Sequence, residues 1–271
     1  MTLKEIKESL RNGGKAVKEC MEFKKTTFKT ADAINTTELK TGSVSKALHT
    51  SKENDTEDVL KRTIIGNTYN WMDSHGDVHL DNTFKNSIKQ RGAAGKIWHL
   101  HDHEQKMTSK IGVPTKVYEQ EVNWTDLGVE KQGTTTALMM DTNVMKAYNG
   151  LMFQEYKDGN VDQHSVGMYY VKIDLAVNDE EFKEEFAVWQ ANIDKIGNAE
   201  KAEQEGFFWA VKEAKLIEIS AVLEGSNELT PTVEAKDNQP SNDIDSDPSL
   251  DSQEVLTEKA RKEVLLKLIT H

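Results

Sequence analysis

From Arg62 to Thr232 the chain alternates short β-type runs, such as RTIIGNTYNW and KIWHLHDH, with turn residues and a few helical stripes. Runs of this kind bounded by Gly, Asn and Asp are expected to be strands, and a body built from them covers its sheet with the intervening helices. Phe84 and Ile88 mark a short helix ending at Gly92; Val144, Tyr148 and Leu151 mark a second that stops before Gly159; Phe182, Phe186, Trp189 and Ile193 mark a third ending at Gly197. Each spacing predicts a helix with one buried face. Core packing accounts for the aromatic stripes, and the reading calls for no cofactor.

The flanks differ in texture. In residues 1–60, Leu3, Ile6 and Leu10 give one helical stripe, Gly13 and Gly14 break it, and a Thr/Lys-rich stretch follows. This reads as a separate, weakly folded N-terminal extension to a body spanning 61–232. Beyond it, EAKDNQPSNDIDSDPSLDSQE is acidic, poor in apolar residues and interrupted by Pro240 and Pro248, which predicts a solvated linker over 233–250. Asp251 with Glu254 resembles a capping box, and Leu256, Ala260, Val264 and Leu268 then recur at helical spacing. An amphipathic helix over 251–271 is expected, docking on its own body, a second copy or a scaffold protein.

Composition narrows the function classes. A formal net charge of -12 argues against nucleic acid as the main partner, because phosphate binding needs a basic face that releases counterions. No run approaches a membrane span, and MTLKEIKESL lacks the apolar centre of a signal peptide, so a cytoplasmic protein is expected. Cys20 is the sole cysteine, which excludes an internal disulfide and a cysteine-based zinc site. Its Lys/Glu-rich surroundings make it a poor candidate for a catalytic thiol.

Three segments hold reactive side chains that a structural role explains badly. In KIWHLHDHEQKMTSKIG, strand alternation would put His99, His101 and His103 on one face and Trp98 and Leu100 on the other. Imidazoles so spaced could chelate zinc, with Asp102, Glu104 and His164 as further donors, or could be solvated surface residues. In GNVDQHSVGMYYVKIDLAV, Ser165, Gly167, Tyr169 and Val171 share one strand face. A glycine there marks either a close approach to the backbone, as by a substrate chain, or a bulge. In LIEISAV, Glu218 stands among apolar residues. If that strand is buried, its carboxylate needs a partner, and histidine fits; an edge strand with Glu218 facing water is the alternative. A serine, a histidine and a carboxylate on three strands are what acyl transfer requires. Serine needs a base, imidazole titrates near neutrality, and the acid fixes the imidazole tautomer.

Taken in order, these segments resemble the prohead protease family of tailed phages, which is related to the herpesvirus assembly proteases. The resemblance spans roughly Ile64 to Thr232. NTYNWMDSHGDVHLDNTFKNSIKQRG resembles the family's opening strand, turn and helix; HDHE and the following KIG its histidine motif; QHSVGM its serine motif; and LIEISAVLEGSNELTPT its closing strand with the acid. It implies an α+β fold, a small mixed β-barrel flanked by helices. It also implies a serine endopeptidase that cleaves scaffold and capsid-protein segments, and itself, inside the assembling procapsid in the host cytoplasm. The implied partners are the major capsid protein and the scaffold protein. Carried over by residue, Ser165 is the nucleophile, Glu218 the acid and His103, after Leu100 and before Glu104, the base, with His101 as the alternative base. The N-terminal extension then reads as a propeptide, and the linker and terminal helix as a tether to the scaffold. Two other readings stand beside it: a catalytically inactive scaffolding or structural head component, and a zinc hydrolase using His99, His101 and His103.

Overall fold

The computed structural model describes residues 1–29 and 55–233; the acidic stretch past Val233 and the helix expected over 251–271 lie outside the described residues. Eight strands form one mixed sheet: β1 (Val59–Thr68), β2 (Asp77–His79), β3 (Trp98–His101), β4 (Lys110–Asn123), β5 (Thr134–Met145), β6 (His164–Val177), β7 (Phe207–Ala221) and β8 (Thr232–Val233). Strands β3, β4, β5, β1 and β8 follow one another antiparallel. Strand β7 takes β2 and β3 in parallel along one edge and β6 antiparallel along the other.

Period-two alternation explains why the central strands bury both faces. On β5, Leu138, Met140 and Val144 enter the main apolar cluster, while Ala137 and Met139 pack on the other side with Trp124, Leu127 and Val233. On β7, Phe207, Trp209 and Val211 join the main cluster, and Phe208 and Ala210 meet Trp189, Ile196 and Ala202 behind them.

The sheet curls strongly without closing. A Cβ on Gly66 of β1 would lie 2.5 Å from Ile219 Cδ1 of β7, although the two strands stand four places apart in the ladder. The fold is thus α+β with a largely open mixed sheet; the small mixed barrel that the resemblance implied is not shown. Along its outer edge β1 pairs with β8, Thr63 facing Val233 and Ile64 facing Thr232.

Six α-helices are present among the described residues: α1 (Leu3–Arg11), α2 (Lys15–Thr26), α3 (Lys85–Ser87), α4 (Gly150–Asp158), α5 (Lys183–Asn192) and α6 (Ala199–Glu205). The helix expected at Phe84 to Gly92 is α3 continued by a π turn to Gly92, and α5 carries the buried Trp189 of the third stripe. The second stripe starts too early: Val144 is a core residue of β5, and the helix begins at Gly150, where the Asn149 side chain caps the Met152 amide. The first residues are also corrected. Helix α1 has a capping box between Thr2 and Glu5, and Ile6 and Val17 lie buried in the main cluster. Arg11 pairs with Glu181 and Lys7 with Asp179. The two helices therefore belong to the body rather than to a separate extension, because their apolar stripe is narrow and needs a sheet face to bury it. Among the described residues, no helix is long and apolar enough to cross a membrane.

Candidate active site

Strand β3 stops at His101, and the next two residues adopt left-handed backbone conformations, Asp102 at φ 48° and His103 at φ 56°. Such a conformation is uncommon for non-glycine residues, and it breaks the alternation on which the three-histidine face depended. The three imidazoles diverge.

His99 turns into the core. Its Nδ1 lies 3.2 Å from Thr142 Oγ1 and its Nε2 3.0 Å from the Tyr156 hydroxyl, which lies 2.9 Å from His164 Nε2; His164 Nδ1 is 2.8 Å from the Thr230 carbonyl. A carbonyl only accepts, so His164 Nδ1 carries a proton and its neutral ring accepts from Tyr156. The same logic makes His99 Nε2 the donor to Tyr156 and Nδ1 the acceptor from Thr142. Burial lowers His99 to about 3 and His164 to about 4, so both are neutral and fully engaged. His101 is half-exposed, 3.2 Å from Asp102. Among the described residues, no group of three or more His, Cys, Asp and Glu side chains is arranged to hold a metal ion.

His103 goes elsewhere, to the acid on β7. Its Nδ1 lies 2.6 Å from Glu218 Oε1, with both side chains buried. Glu218 thus sits on a buried strand, between β3 and β6, and not on an edge facing water. Its second oxygen, Oε2, accepts from the Ser220 hydroxyl at 2.6 Å, and Ser220 Oγ in turn accepts from the His103 backbone N–H at 3.1 Å. The imidazole Nε2 is buried with no hydrogen-bond partner among the described residues.

Ser165 is buried near the start of β6, directly opposite Ser220, and Gly167 is directly opposite Glu218. Directly opposed residues of an antiparallel pair project to the same sheet face, so Ser165 stands beside the residue that holds both His103 and Glu218. The structure joins His103 to Glu218 by a hydrogen bond. It does not join Ser165 Oγ to either of them by one.

Gly167 is the close approach that its position predicted, but the occupant is internal. The Glu218 carboxylate and the Phe28 ring cross its backbone so closely that a Cβ would meet both inside contact distance. Gly167→Ala is therefore expected to push Glu218 off His103 and to cost roughly 1–3 kcal/mol of stability by overpacking; denaturant titration measures the cost, and unchanged stability would show that the carboxylate has room to move.

Two features were not foreseen. Ser220 lies two residues past Glu218 on the same face, a relation that strand periodicity alone offers. The other is the stretch after α2, where Lys29 pairs with Met168 on the edge of β6 away from β7 and Phe28 lies 5.2 Å from Tyr169. The Lys29 ammonium is buried between Asp73 and Asp77, 2.6 Å from each, with Tyr170 donating to Asp77. Burial works to raise the Asp77 pKa, but Lys29 and Lys24 override it and hold that carboxyl far below the usual range. The paired Asp residues of NWMDSHGD were its sequence signal.

Compared with known proteins, the chain matches no family model, no curated protein and no solved structure.

Proposed function

We propose that this protein is a serine endopeptidase of the tailed-phage prohead type, with Ser165 as nucleophile, His103 as general base and then acid, and Glu218 as the residue that orients the imidazole. The observation that carries the reading is the 2.6 Å contact between His103 Nδ1 and Glu218 Oε1, together with the unpartnered Nε2 on the same ring. A proton on Nδ1 held by the carboxylate leaves the Nε2 lone pair free to take the Ser165 proton as Oγ attacks a peptide carbonyl. Glu218 then stabilises the imidazolium, which returns its proton to the leaving amine. The contact with Glu218 favours His103 over His101 as the base, since among the described residues His101 is paired with Asp102 and not with the acid on β7.

The finer parts of the reading follow from the same resemblance. The curled sheet corresponds to the family's small barrel, the substrates are the scaffold and major capsid protein of the procapsid, and the N-terminal segment is a propeptide. In support of the last, the pairing of Lys29 with Met168 lays that segment along the nucleophile's own strand. The missing hydrogen bond between Ser165 and His103 favours a second reading, an inactive structural head component, although catalytic contacts of this type often tighten only with substrate bound. Expression of the chain alone and with its capsid and scaffold proteins, followed by mass spectrometry, separates the two. Fragments made by the wild type and absent with Ser165→Ala, including a new N-terminus from the chain itself, support the protease. Identical patterns from both chains overturn it.

A further inference from the structure

The base of this site is held in an awkward place. His103 follows the last residue of a short strand by two positions, in a left-handed turn built from two consecutive non-glycine residues. Side-chain contacts must stabilise such a conformation, because the backbone alone disfavours it. The Asp102 amide is tied to the Ala221 carbonyl at 3.1 Å and the Glu104 amide to His101 at 3.1 Å, so the turn is anchored on either side of His103. The His103 amide itself has one partner, the Ser220 hydroxyl.

We propose that Ser220 is a positioning residue of the site, its single hydroxyl setting the acid and the base relative to each other; this rests on the acyl-transfer reading above. The valences are complete. The hydroxyl proton is donated to Glu218 Oε2, and one oxygen lone pair accepts the His103 N–H. Glu218 therefore has one oxygen on the imidazole and the other on Ser220, which fixes the plane of the carboxylate as well as its place. Ser220 is fully buried, and a buried hydroxyl needs partners; the two bonds it makes both go to the catalytic pair. Its position across from Ser165 puts the same residue next to the nucleophile. Ser220 does not contact the reacting atoms in this arrangement, so its effect acts through His103 and Glu218.

The test uses the full chain, a fluorophosphonate probe that labels an activated serine, and proton NMR of the deshielded His103 Nδ1–H. Ser220→Ala is expected to fold, since Asp102 and Glu104 keep the turn attached. It should lower the labelling rate of Ser165 and kcat by about ten- to a hundredfold, the worth of a hydrogen bond to a charged group, with KM little changed. The Nδ1–H resonance should move upfield or broaden, and Ser220→Thr, which restores the hydroxyl, should recover both signals. Ser220→Cys replaces either variant that fails to fold, and its weak donor should give an intermediate rate. Labelling at the wild-type rate with an unchanged resonance in Ser220→Ala would overturn the proposal. If wild type is labelled no faster than Ser165→Ala, the acyl-transfer reading fails instead, and the resonance alone then decides whether Ser220 holds the pair.

Discussion

Exchange of Ser165 for alanine is expected, on the proposed serine-protease reading, to abolish peptide-bond hydrolysis, a loss of about a millionfold, while leaving the fold intact. The size of the loss follows from the unit's logic: without Oγ there is nothing for His103 to deprotonate, and water must attack unaided. The intact fold follows from the surroundings. The Ser165 side chain makes no hydrogen bond among the described residues, so its removal leaves no polar partner stranded. His103→Ala should cost about as much, and the double variant little more than either, because residues that act as one unit are not additive. His101→Ala is the contrasting case. Its ring is half-exposed and, among the described residues, paired with the exposed Asp102, so a change within about twofold is expected. Digestion of the capsid and scaffold proteins, followed over time, measures all four. A His101→Ala loss matching that of His103→Ala would reassign the base, and hydrolysis surviving in Ser165→Ala would remove the nucleophile.

How much of this site could be read from the sequence depends on how local the signal is. Glu218 was legible as a buried carboxylate needing a partner because LIEISAV surrounds it with apolar residues, and burial of an unpaired charge is costly. Ser165 was legible only through the company of a glycine two residues on. What failed were two inferences that required the backbone to continue as it began, at β3 and after β5. The shared histidine face assumed that β3 runs through His103, and nothing in an Asp-His pair announces two left-handed residues in succession. Val144 fits a helical stripe with Tyr148 by spacing alone, yet within that window a strand ends, a turn intervenes and a helix begins. The pairing of Thr232 and Val233 with β1 joins residues far apart in the chain, and such a long-range contact leaves no periodicity in the sequence. The α1 stripe was plain, but the face it buries against had to be seen.

The buried histidines carry a second large effect. His79, His99 and His164 are each buried, and burial is the leading cause that lowers them, His79 and His164 to about 4 and His99 to about 3. In the unfolded chain each titrates near the ordinary value of about 6.5. A histidine whose folded pKa is the lower one favours folding fully above about 6.5, and that stability is lost as pH falls from there toward the folded values. Near pH 5 the unfolded chain binds close to one proton more at each of the three sites, so stability should fall by roughly 4 kcal/mol per pH unit. Against a net stability of about 5–15 kcal/mol, cooperative unfolding is expected above pH 4. Asp77 cannot account for it: its folded pKa is the depressed one, so its contribution is present above the ordinary carboxylate pKa and is lost only below about 4. Denaturant titrations monitored by circular dichroism at pH 7, 6 and 5 measure the slope. His164→Asn, whose amide can reproduce the Nδ1 donor to Thr230, should remove about one proton's share of it, and stability that stays flat from pH 7 to 5 would show that the three rings charge without leaving the fold.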